Sequence, residues 1–163
     1  KYYIDDEELR LLFSKLVGAS MDISKNDILQ PAFVEIVKQM TPIDARNLIN
    51  LYETQGKENP IVCIILKNSV TNNFKNILDH FYIGDNSNTS HLRMASSLIN
   101  LVRLGLIEIN YDVFLSDEKA YLPYENHPVV AKLKIDYSSD LDSVELKKGL
   151  ITGFGIDFCK ICI

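Results

Sequence analysis

Cys159 and Cys162 stand in a C-x-x-C spacing near the end of the chain, with Cys63, His80, His91 and His127 as the other soft-metal donors. A structural zinc site wants four Cys or His ligands in close spacing, and these are scattered. A redox-active pair needs a helix N-terminus to lower its thiol pKa, whereas these sulfurs fall at a helix end. All three cysteines are therefore read as buried core residues. Asp5, Asp6, Glu7 and Glu8 form the only dense carboxylate cluster. Consecutive residues on a helix diverge in direction and make a poor metal cage, so the cluster reads as a helix start matched to the helix dipole. The phosphate-loop, nucleophile-elbow and H-E-x-x-H patterns are absent. These residues predict no enzyme, no cofactor and no metal.

A second constellation is polar. Arg93, Ser96, Asn100 and Arg103 are spaced i, i+3, i+7 and i+10, with Ser97 beside them, and make one stripe on a helix expected over 89–104. Arg and Asn can bond guanine and adenine edges in a bidentate way, so the stripe can be a DNA reader. It can equally be the outward face of a packed helix, with Leu92, Ala95, Leu98, Ile99 and Val102 turned to the core. Across 72–111 the bases Lys75, Arg93 and Arg103 balance the acids Asp79, Asp85 and Glu108. A DNA module normally shows a basic footprint, so a partner protein is favoured over DNA.

The elements that must carry these residues follow from periodicity. The chain has 163 residues, enough for one domain with a core. Its net charge of −5 discourages non-specific adhesion to nucleic acid or anionic membrane. The odd cysteine count argues against a disulfide framework and for an intracellular, cytoplasmic setting. No apolar run is long enough to span a bilayer, so no membrane insertion is expected. The chain opens at Lys1 without a Met and reads as the C-terminal part of a longer protein, which leaves an upstream signal open.

Residues 5–19 predict an amphipathic helix on Leu9, Leu12, Phe13, Leu16 and Val17. "PAFVEIVKQM" predicts a second. "TPIDARNLINLYE" starts afresh, with Thr41 as cap, Pro42 at the first helical position and Asp44 where a capping-box acid belongs. "IVCIILKN" predicts a strand, residues 72–83 a short helix, "LIEINY" a strand and "AYLPY" its hairpin partner. Residues 136–145 read as an exposed acidic loop. The last segment predicts a helix capped by Thr152, with Phe154, Phe158, Ile161 and Cys162 on one face and Gly149, Gly153 and Gly155 loosening its approach. The expected fold class is mainly α (α+β). A helical pair over 5–40 packs on a winged-helix-like unit over 41–163, which has a small antiparallel sheet and a C-terminal helix.

Four stretches carry a family resemblance: "DDEELRLLFSKLVGASMD", "PAFVEIVKQMTPIDARNLINL", "LINLVRLGLIEI" and the closing pattern Thr152, Gly155, Phe158, Cys162. In order and approximate spacing they resemble the C-terminal part of the abortive infection alpha family of bacterial and prophage proteins. The resemblance implies an association with phage defence and carries over no catalytic residue. The expected function is thus a non-catalytic component of phage defence acting as a protein-interaction module on a host or phage factor. The alternative is a winged-helix DNA-binding regulator. Oligomeric state is left open.

Overall fold

The computed structural model describes residues 7–22, 24, 31–54, 59–84, 90–137 and 142–163. In order they form α1 (Glu7–Ser20), α2 (Ala32–Gln39), α3 (Pro42–Glu53), β1 (Pro60–Asn68), β2 (Phe74–Phe81), α4 (His91–Arg103) and β3 (Ile107–Asn110). A 3-10 turn (Glu118–Tyr121), α5 (Leu122–Glu125), α6 (Pro128–Asp136), β4 (Asp142–Phe154) and α7 (Ile156–Cys162) complete the chain. The class is α+β, and the sheet runs in the order β2-β1-β4-β3. Contacts divide the chain into two compact units, one of residues 1–56, 97–108 and 153–163, the other of 57–96 and 109–152.

The first unit is helical. In α1 the apolar stripe turns inward through Leu12, Leu16 and Ala19, whereas Val17 is exposed. This helix packs on α2, α3 and α7. The capping box at Thr41 forms as the residue types require: the Thr41 N–H donates to Asp44 Oδ2 at 2.7 Å, and the Asp44 N–H donates to Thr41 Oγ1 at 3.3 Å. The closing helix docks by Phe158, whose ring meets Phe33 edge-on with centroids 5.3 Å apart. The Lys15 ammonium donates to the Ile163 carbonyl. The helix begins at Ile156, later than expected, because β4 runs on through Thr152 and Phe154. Gly155 is its N-cap, so Thr152 caps nothing.

In the second unit β1 is flanked on both sides. It pairs antiparallel with β2 and with β4. The expectation of a helix over 72–83 fails here. Asn68 Oδ1 accepts from the N–H groups of Val70 and Thr71 and from the Thr71 hydroxyl. Asn72 takes φ +55. The Asn-rich turn thus reverses the chain into a hairpin, because Asn bonds its own backbone and tolerates a left-handed conformation. The acidic segment is likewise strand from Asp142 onward, with Glu145 pairing Lys67 at 3.6 Å; residues 138–141 lie outside the described residues. Its charges occupy the outward positions of a period-two pattern.

The wing expected between 106 and 124 is absent, since β3 pairs with β4. "AYLPY" is helical instead. Asp117 Oδ1 accepts from the Lys119 N–H to start a 3-10 turn, and Pro123 lies in the first turn of α5. A proline there cannot donate to a strand ladder. Val62, Ile64, Leu78, Phe81, Ala95, Tyr121, Tyr124 and Val130 make this unit's core.

Candidate functional site

The polar stripe of α4 divides on folding. Ser97 is only 4 % exposed and accepts from Asn47 Nδ2 at 2.9 Å. Asn100 Nδ2 donates to Asp44 Oδ2 at 2.8 Å and to the Gln39 carbonyl at 3.2 Å. Arg103 donates from Nε and Nη2 to Asn100 Oδ1, and from Nη1 to Gln39 Oε1. Asn100 therefore satisfies an end carbonyl of α2 while Arg103 holds Asn100 in place. Arg93 and Ser96 are exposed, Ser96 bonding back to the Leu92 carbonyl at 2.9 Å. The helix sits rotated from expectation. Met94, Ala95, Leu98 and Leu101 are buried, whereas Leu92, Ile99 and Val102 are exposed. Ser97, read as a border residue, takes an inward position because Asn47 supplies its partner.

The cysteines are buried and free, as the residue types suggested. Burial pushes the Cys159 and Cys162 thiols up to about 12. Cys63 is also pushed up to about 12, by burial first and then by Asp79, whose Oδ1 accepts its S–H at 3.2 Å. A thiol so raised stays protonated near neutral pH and is no nucleophile. Among the described residues no group of three or more His, Cys, Asp or Glu is placed to hold a metal ion. None of the helices among the described residues is long and apolar enough to cross a membrane.

A different constellation converges in the second unit, and local sequence patterns do not announce it. Opposite Cys63 the register of β2 slips, leaving Asp79 and His80 against one residue of β1. This is a β-bulge, and His80 takes φ +53, where a non-glycine side chain is strained. The bulge aims the imidazole at Tyr111, just past the end of β3. His80 Nδ1 and the Tyr111 hydroxyl hydrogen-bond at 3.0 Å, and the rings stack with centroids 5.8 Å apart. The Lys147 ammonium lies over the Tyr111 ring, 5.6 Å from its centroid. Burial lowers the His80 pKa, with Asp79 opposing; burial raises that of the Tyr111 hydroxyl. Both groups are neutral partners near pH 7.

Gly149 in β4 makes room for this. A Cβ there would meet Tyr111 Cδ1 at 2.5 Å and the Asn110 carbonyl oxygen at 2.9 Å. The same glycine anchors the far end of the loop: its carbonyl accepts from the Tyr121 hydroxyl at 3.2 Å. That hydroxyl in turn accepts from the Leu115 N–H at 3.1 Å. The segment from Tyr111 to Tyr121 is thus pinned at both ends on one residue of β4. At its turn Asn110 Oδ1 accepts from the Asp112 N–H at 2.7 Å. Between the anchors Val113 and Phe114 are 47 % and 59 % exposed. Large apolar side chains held out by a fixed loop form a binding feature, since little conformational entropy remains to be lost on docking. An isolated glycine inside a strand was the sequence signal for this close approach.

Two outcomes test the geometry. Gly149→Ala is expected to cost about 1–3 kcal/mol, the range for forcing an extra carbon into a packed site. Urea unfolding measures it, with a changed Tyr111 environment in the near-ultraviolet circular dichroism. The second concerns pH. His80 is held below its ordinary value of 6.5 when folded, so the unfolded chain binds its proton first. Its stability contribution is complete above pH 6.5 and is lost as pH falls through the lower folded value. His80→Asn, which tolerates the left-handed backbone, should lose less melting temperature than the parent between neutral and mildly acidic pH.

Comparison with known proteins gives one match. A family model described as abortive infection alpha covers residues 1–162. No curated protein and no solved structure matches the chain.

Proposed function

The chain belongs to the abortive infection alpha family, and from that premise we propose that it is a non-catalytic part of bacterial phage defence, working in the cytoplasm by binding another protein. The pinned loop carries this reading. Val113 and Phe114 are large, apolar and exposed on a segment whose both ends are fixed by buried or half-buried tyrosines. Exposed aromatic anchors on ordered backbone are the usual energetic centre of a protein interface. Two further observations support it. The thiols near the cluster are raised far from nucleophilic values. Asn100 and Arg103, the best base-reading side chains of α4, are engaged by Gln39 and Asp44.

Plating efficiency of several phages, with and without the full-length gene, tests the defence role; protection is expected to fall when Phe114→Ser is introduced. Duplex DNA binding should be weak and indifferent to Arg93→Ala with Arg103→Ala. Tight binding that collapses with salt and with that double substitution would point to a DNA-binding regulator instead.

A further inference from the structure

Resting on the protein-binding reading above, we propose that the Asn110–Tyr121 loop docks a protein segment that presents apolar side chains between lysines or arginines. The apolar half of the specificity comes from Val113 and Phe114, at 47 % and 59 % exposure. The polar half comes from charge. From Asn110 to Glu118 the sequence carries Asp112, Asp117 and Glu118 and no base. All three acids are exposed.

The nearest bases face elsewhere. Lys147 lies over the Tyr111 ring and Lys148 over the Tyr121 ring, the latter 5.1 Å from the centroid. Lys148 also approaches Glu118 at 3.9 Å, but that side chain is 86 % exposed, and such a surface pair holds its carboxylate only weakly. The tip therefore offers an apolar pair rimmed by carboxylates. Nucleic acid and anionic lipid both carry the wrong sign for that rim. A cationic, apolar protein segment carries the right one, and complementary charge steers its approach and fixes its register.

The test uses a random dodecapeptide library displayed on ribosomes and selected on the full chain. Parallel selections use Phe114→Ser and Asp112→Lys combined with Asp117→Lys. These positions are exposed, so both variants should melt like the parent. Enrichment of apolar residues beside lysine or arginine is expected on the parent alone. A synthesised winner should bind Phe114→Ser roughly tenfold or more weakly, as for loss of an aromatic anchor, and should weaken with added salt. Equal enrichment on all three proteins, acidic or neutral flanks in the winners, or no enrichment at all would overturn the proposal. Phage plating separates this from the broader reading. If the gene protects and its Phe114→Ser form protects equally, the docking assignment fails and protein binding elsewhere stands. If the gene gives no protection while the library selects as described, the defence role fails and the docking assignment stands.

Discussion

Phe158→Ala is expected to lower the unfolding free energy by about 3–5 kcal/mol, the range for emptying a buried aromatic site. The ring is 2 % exposed and packs edge-on against Phe33. It is also the side chain through which α7 is held, so its loss removes a docking contact as well as filled volume. A loss of that size is comparable to the whole stability of a marginal domain. Denaturant unfolding monitored by circular dichroism reads it, and an unchanged midpoint would show that α7 contributes little to the helical unit.

Asp44→Ala should rank next, at about 2–3 kcal/mol. One carboxylate oxygen accepts from the Thr41 N–H and from Asn100 Nδ2. Its removal takes away half of a capping box, which is worth roughly 0.5–2 kcal/mol. It also strips a charge-assisted partner from Asn100, leaving an amide with only the Gln39 carbonyl. Asp44→Asn keeps the size and one acceptor, so it should cost less. The difference between the two variants in urea isolates the hydrogen bonds from the packing.

The parts of the fold legible in the sequence are those set by near neighbours. Thr41, Pro42 and Asp44 lie within four residues of one another, and the box they predict is the box that forms. The apolar spacing of α1, α2 and α4 announced helices, although it placed the inward face of α4 wrongly at Leu92, Ile99 and Val102. Local spacing cannot say where Asn47 will stand, and Asn47 decides that Ser97 turns in. β2 was missed because "FKNILDHF" has apolar residues at helical intervals, while its true fate was decided by β1 and by the turn chemistry of Asn68 and Asn72. The wing failed on Pro123, a local signal that outweighed alternation. The candidate loop was least legible. Its anchors His80, Tyr111, Tyr121 and Gly149 come from four separate stretches, and no periodicity links them. Gly149 alone carried a hint, since a glycine in a strand marks close approach; it was read as looseness.

The anchoring of that loop has a consequence for how the protein can change. The residues that fix the loop lie behind its surface, in tyrosine rings and a strand glycine, while Val113 and Phe114 stand outside the packing. Substitutions at an exposed tip typically move folding stability by no more than about 0.5 kcal/mol either way. Recognition and folding are therefore set by different residues of one short segment. A rival that alters its own surface to escape can be followed by replacements at two positions, with the scaffold left as it is. Drift at the anchors carries the opposite penalty: it dismantles the platform and leaves every version of the tip equally useless.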